Sequence, residues 1–179
     1  MAYKALIRAG VRTAIRRLNN GDPGLLLALA ADDLQFAFPG HNSWATMFRP
    51  QQKGRHFHPT HLGKHEAAAF AQRFVKAGLQ VDIEDILVNG PPWNTRVAIR
   101  ACDQIASPQP GPAGTYNNRF IDYLDIRWGR IHRFEVYEDT ERTAEWDQNL
   151  AADTTIKGSA AGPTEGTERV EADSSWHPD

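Results

Sequence analysis

Asp122 stands where a side chain is most able to do chemistry in this chain. It lies within Tyr116 to Asp139, YNNRFIDYLDIRWGRIHRFEVYED. Read as a strand from Tyr116 to Arg127, the stretch sends Asn118, Phe120, Asp122, Leu124 and Ile126 to one face. Phe120, Leu124 and Ile126 are large and apolar, so this is the core face, and a carboxylate there is costly. Burial disfavours the ionised form and lifts the pKa, which suits a group that gives or takes a proton near neutral pH. The competing reading is a structural Asp held by Tyr, Trp or backbone donors. Asn118 shares the face and suits either role: it can orient a substrate carbonyl or hold the Asp122 carboxyl.

The histidines are the second group. His41, His56, His58, His61 and His65 fall within one loop and the start of the next helix. His-Xxx-His with a third His has the donor types of a zinc site, but no nearby Cys completes a set. The preferred reading is no metal, with a single loop histidine, His41 or His61, acting as acid/base beside Asp122. Trp44 and Trp93 are candidates to line a pocket, although packing is the commoner role of Trp. Cys102 has no histidine at a recognisable spacing and is read as structural.

These residues need elements to position them. Ile7, Val11, Ala14, Ile15 and Leu18 recur at helical spacing, which predicts a helix from Tyr3 to Leu18 with a basic outer face. Its Arg-rich, amphipathic look is shared with transit peptides. An ordinary first helix is preferred, because the apolar stripe continues into domain sequence. Asn19-Asn20-Gly21 ends it, and Asp22-Pro23 opens a short apolar helix from Gly24 to Ala31. Leu34, Phe36 and Phe38 alternate as a strand that Pro39-Gly40 ends. The segment from His41 to Gly63 has no period and reads as a long loop.

Lys64 to Ala77 is a third helix, stopped by Gly78. Leu79 to Asn89 is a strand whose apolar phase slips between Ile83 and Ile86, the mark of a bulge or of burial on both faces. Asn89-Gly90-Pro91-Pro92 turns into a strand from Trp93 to Ile105, with Val97, Ile99 and Ala101 on one face. A Pro/Gly loop then leads to the hairpin that carries Asp122, with its turn at Trp128-Gly129-Arg130. A last helix runs from Thr140 to about Ala151. From Asp153 the composition turns to Gly, Ser, Thr, Ala and acids, which predicts a disordered tail over 153–179 after a domain at 1–152.

Composition narrows the function classes. A chain of 179 residues is long enough for one domain with a real core. A formal net charge of −2 lacks the basic field that nucleic-acid binding needs. No apolar run approaches a membrane span. A single cysteine excludes an internal disulfide and suits a reducing compartment, so the expectation is a cytoplasmic protein.

The motifs and their order resemble the SnoaL-like branch of the nuclear transport factor 2-like superfamily over roughly Tyr3 to Ala151. They are Leu18-Asn19-Asn20-Gly21-Asp22, Leu29-Ala30-Ala31-Asp32-Asp33, Phe38-Pro39-Gly40, Gly90-Pro91-Pro92-Trp93, Tyr116-Asn117-Asn118, Trp128-Gly129-Arg130-Ile131 and Tyr137-Glu138-Asp139-Thr140. The resemblance implies an α+β fold: a curved antiparallel sheet wrapped around about three helices as a cone, with a pocket at its open end. It also implies a homodimer through the outer sheet face. It does not by itself name an activity.

Steroid isomerases of this superfamily use a helix-one Tyr, a base Asp after the first strand and a protonated Asp on a late strand. The first two positions are Ala14 and Phe38 here, and only the third is kept, as Asp122. Relatives of limonene-epoxide hydrolase use Arg-Xxx-Asp on a middle strand and an Asp on the last strand. Here the middle strand reads Arg100-Ala101-Cys102-Asp103, one residue too long, and the last-strand position is Val136. Neither activity is therefore expected. SnoaL-like cyclases use one pocket Asp as general acid/base, a part Asp122 can play. The expectation is a small-molecule enzyme on a mostly apolar substrate, needing no cofactor. Asp122 and His41 or His61 would be catalytic, and Asn118, Trp44, Phe38, Phe120, Trp93 and Val136 would contact the ligand. The alternative is a non-enzymatic binding or dimerisation module.

Overall fold

A computed structural model of the protein describes residues 2–38, 44, 60–61, 63–105 and 115–152. The elements in chain order are α1 (Ala2–Asn19), α2 (Gly24–Leu29), β1 (Ala30–Ala37), β2 (Thr60–His61) and α3 (Gly63–Ala77). They continue with β3 (Gln80–Asn89), β4 (Thr95–Ile105), β5 (Tyr116–Arg127), β6 (Arg130–Glu138) and α4 (Thr140–Ala152). The strands form one sheet in the order β2-β1-β6-β5-β4-β3. The fold is α+β, a curved sheet with helices packed into its concave side. The Pro/Gly loop at 106–114 and the tail at 153–179 lie outside the described residues.

The expectation of a wholly antiparallel sheet needs correction. β1 runs parallel to β6, with Phe36 opposite Phe134. The two strands are far apart in sequence, so neither a hairpin nor local turn chemistry dictates their direction. A parallel pair needs only a long crossover, which the intervening chain supplies. Two further corrections are local. The second helix stops at Leu29, and Ala30 already belongs to β1. Within the segment read as a loop, Thr60 and His61 pair with Phe36 and Gln35 as a short edge strand.

The phase slip in β3 is a bulge, since its register against β4 shifts between Ile83 and Asp85. Bulges bend a sheet, and bending closes the concave side. β3 is an edge strand, and α1 covers that edge. The Asn19 side chain does what a neighbouring strand would do: its Nδ2 donates to Val81 O at 2.8 Å and its Oδ1 accepts from Val81 N–H at 3.0 Å. Further along, Arg8 Nε donates to Ile86 O at 3.1 Å, and the Tyr3 hydroxyl pairs with Thr95 Oγ1 at 2.7 Å. These contacts hold α1 across the open side of the sheet.

The core sits between α3 and the sheet. Phe36 of β1 stacks on Phe134 of β6 at 4.8 Å between ring centroids and meets Phe70 of α3 at 5.0 Å. Trp44 packs edge-on against Phe70 at 5.6 Å. The helix α4 is capped by Asp139, whose Oδ1 accepts from Glu141 N–H and Arg142 N–H. The cap is thus one residue earlier than the Thr140 that the sequence suggested. No helix among the described residues is long and apolar enough to cross a membrane.

Candidate active site

β4 and β5 bury alternate residues along their whole lengths. The concave face therefore receives Val97, Ile99, Ala101 and Asp103 from β4, and Phe120, Asp122, Leu124 and Ile126 from β5. Antiparallel register places Asp122 between Ile99 of β4 and Val136 of β6, and Phe120 between Ala101 and Glu138. With α1, α2 and α3 opposite, Ile99, Asp103, Phe120, Asp122, Leu124 and Ile126 line a cavity of about 310 Å³. Its wall is apolar for most of its extent, with Ile7, Val11 and Leu18 from α1 and Phe70 and Phe74 from α3. Leu6, 68% exposed, and Gly129 at the β5–β6 turn also border it, so the cavity reaches the surface there.

Polar groups enter the cavity at the end marked by Asp103, Tyr116, Asp122 and Glu138. Asp122 is 6% exposed. Among the described residues no hydrogen bond reaches its carboxyl. Burial raises its pKa well above the ordinary value, and the like charges of Asp103 and then Glu138 push it further. Asp103 is 8% exposed, and its Oδ1 has no hydrogen-bond partner among the described residues. Burial lifts its carboxyl to about 6, while the backbone N–H groups of Asp103 and Asn118 act in the opposite direction. The Tyr116 phenol is raised as well, chiefly by burial and then by Asp103. Burial that favours the protonated form of a carboxyl suits it to donate a hydrogen bond or a proton to a bound oxygen atom.

Of the residues singled out from the sequence, Asp122, Phe38, Trp44, Phe120 and Val136 line this cavity. Asn118 does not. It is 2% exposed but turned toward α4: its Nδ2 reaches Asp139 O at 3.0 Å, the Tyr116 hydroxyl at 3.2 Å and Thr143 Oγ1 at 3.2 Å. Its Oδ1 accepts from Arg119 N–H at 2.8 Å. Asn118 thus ties β5 to the start of α4, because only an amide at that strand end can bond a helix cap and two hydroxyls together. Trp93 also lies elsewhere: it is 58% exposed in the β3–β4 turn, with its ring 6.0 Å from that of Trp128. His41 lies outside the described residues. His61 contributes its backbone to β2, and its side chain is outside the description.

Asp103, set aside in the sequence with the epoxide-hydrolase pattern, also lines the cavity. Its signal was available, since Val97, Ile99, Ala101 and Asp103 continue one period-two face. Arg100, by contrast, points to the convex face and pairs with Glu84 at 2.8 Å. The Arg and Asp of that strand are therefore on opposite sides of the sheet. Ala14 and Phe38, at the positions where steroid isomerases carry their Tyr and base, do border the cavity but bring no ionisable group. Among the described residues no three metal-ligating side chains cluster.

Residues 11–134 match the SnoaL-like domain family. The chain belongs to that family. Solved structures agree with the assignment at the level of fold. PrhC from Penicillium brasilianum superposes with a TM-score of 0.59 at 17% identity, over 83% of this chain and 90% of that one. The epoxide hydrolase/cyclase-like enzyme SalBIII gives a TM-score of 0.57 at 12% identity, over 79% and 97%. A nuclear transport factor 2-like protein from Anabaena variabilis gives 0.53 at 19% identity, over 78% and 90%. No match was found among curated proteins. Membership of the SnoaL-like family supports a small-molecule enzyme-type fold.

Proposed function

We propose that this SnoaL-like protein is an enzyme that transforms a mostly apolar small molecule by proton transfer, with Asp122 as general acid/base. The observation that carries the reading is a nine-tenths buried carboxyl, without a hydrogen bond among the described residues, on the wall of an apolar cavity. Such a group is costly to keep and is common where a pKa must be matched to a task. The reaction class is isomerisation, cyclisation, dehydration or hydrolysis, none of which needs a redox cofactor. SalBIII, which shares the fold, is described as acting in pyran ring formation in a polyether, chemistry of this class. His41 or His61 remains the proposed histidine partner. Ile121 and Tyr137, exposed and paired across β5 and β6 on the convex face, support a homodimer through that face. The single cysteine suits a cytoplasmic setting.

The test is a carboxyl titration of Asp122 by NMR, with and without styrene oxide and 2-decalone as apolar epoxide and ketone probes. A raised pKa that moves on probe binding supports the reading. An ordinary pKa, indifferent to both probes, would leave a non-enzymatic binding module.

A further inference from the structure

The Asp103 carboxyl is only partly held, by the backbone N–H groups of Asp103 and Asn118. Two other acidic residues, Asp22 and Asp139, are bonded to backbone at helix starts. Asp22 Oδ1 accepts from Gly24 N–H at 2.9 Å and its Oδ2 from Arg17 Nε at 2.7 Å, while Asp139 caps α4. Asp103 instead keeps a buried Oδ1 without a partner among the described residues, on the wall of the same cavity as Asp122. A carboxylate placed this way destabilises the fold unless something outside the chain uses it.

We propose that Asp103 is the second proton-transfer group of this cavity, accepting a proton from the bound substrate while Asp122 gives one. The inference rests on the reading of Asp122 above and assigns the partner within the described residues. Three features support it. Register puts the two residues on one concave face, Asp103 opposite Asn118 and Asp122 opposite Ile99. The charge of Asp103 acts on Asp122 and favours the protonated form of Asp122. Their environments also separate them. Asp122 is the more strongly raised, whereas Asp103, at about 6, is an ionised base at neutral pH. Two carboxyls whose environments push their pKa values apart are an acid and a base. The titratable groups facing Asp103 across the cavity are Tyr116 and Asp122 of β5 and Glu138 of β6. No Lys, Arg or His is among the described residues of the wall.

A probe of the base role is 5-nitrobenzisoxazole. The Asp103 carboxylate takes the proton on C3, and the C–H electron pair completes the carbon–nitrogen triple bond. The N–O bond breaks and its electrons go to the phenolic oxygen, to which Asp122 donates a hydrogen bond as the charge develops. The product leaves as 2-cyano-4-nitrophenolate, with no oxidant or reductant consumed, and the proton on Asp103 passes to solvent at the open end of the cavity. The full chain is compared with Asp103→Asn, Asp103→Glu and the Asp103→Asn/Asp122→Asn double variant. The expected result is a wild-type rate that rises with pH through about 6. Asp103→Asn is expected to lose about 100-fold and that pH dependence, with partial recovery in Asp103→Glu. The Asp122 titration should move down in Asp103→Asn, because a like charge has gone.

A wild-type rate no higher than that of the double variant, or an Asp103→Asn rate and pH profile equal to wild type, overturns the assignment. Either result leaves the Asp122 reading standing if the Asp122 titration still responds to styrene oxide. Loss of that response is a separate failure, of Asp122 itself.

Discussion

Asp103 and Asp122 face one cavity from neighbouring antiparallel strands, offset by the four residues that separate Asn118, the partner of Asp103, from Asp122. Neither carboxyl is neutralised by a cation among the described residues of the wall. The arrangement has a direct effect on stability. The folded-state pKa of Asp103 is raised, from 3.8 to about 6. Its protonated form is therefore favoured by folding, and the stability it contributes is full below pH 3.8 and is lost as pH rises through about 6. Asp103→Asn removes that loss. The variant should be more stable than wild type at pH 7 by on the order of 1–3 kcal/mol, and no more stable at pH 3. Urea unfolding at the two pH values measures the difference. A wild-type protein that gains stability between pH 4 and pH 7 relative to Asp103→Asn would contradict it.

Asn118→Ala separates strand from helix at a side chain that does not itself line the cavity. It removes the amide that bonds Asp139 O, Tyr116 and Thr143, the last of which is fully buried. Leaving those groups short of a partner should cost about 1–3 kcal/mol. Hydrogen exchange should show faster opening of α4, while affinity for 2-decalone stays within a factor of about two. A large loss of affinity with α4 unchanged would return Asn118 to the ligand site.

Trp93 and Phe38 should behave oppositely. Trp93→Ala changes an exposed ring that touches Trp128, so stability should fall by no more than about 1 kcal/mol and probe affinity should not change. Phe38→Ala removes a buried ring that borders the cavity, at a cost of about 3–5 kcal/mol and with a larger cavity. Calorimetric titration of both variants with styrene oxide distinguishes them.

Gly90 turns the chain between β3 and β4 at a φ of 91°, and a Cβ there would collide with the Asn94 carbonyl. Backbone cannot move aside as a flexible side chain can. Gly90→Ala should destabilise the fold by about 2–4 kcal/mol, the sum of strain and displacement. Chemical denaturation gives the value, and a loss below about 0.5 kcal/mol would mean that the turn adopts another form.

Trp128 opens the two-residue turn of the β5–β6 hairpin at a φ of 51°, with Gly129 following at 79°. Both central residues lie in the left-handed region, the turn that prefers Asn-Gly. Trp128→Asn should therefore stabilise the protein by about 1 kcal/mol despite the lost ring contact. A lower thermal midpoint for the variant would show that the Trp93–Trp128 contact matters more than the backbone.

The helices, the strand order along the chain and the buried face of β5 were legible from local pattern. Ile7 to Leu18 marks α1 by its 3.6-residue period, and Phe120 to Ile126 marks the inward face of β5 by alternation. The bulge in β3 was legible from the slip between Ile83 and Ile86. The parallel pairing of β1 with β6 was not, because a strand's own sequence carries its faces but not the direction of a distant partner.

The amino-acid order by itself determined that Asp122 is buried. Apolar residues on both sides, two positions away, leave its side chain no other face to take. Whether that carboxyl is held by internal donors or left open to a ligand was a tertiary decision, because the nearest amide, Asn118, is drawn away by Asp139, Tyr116 and Thr143. The site's second carboxyl was a tertiary decision as well. Asp103 lies far from Asp122 along the chain, and only strand register and the curvature of the sheet turn both toward one enclosed volume. Local sequence sets which way a side chain points relative to its own strand. What it meets there depends on which other strands are alongside and how the sheet bends.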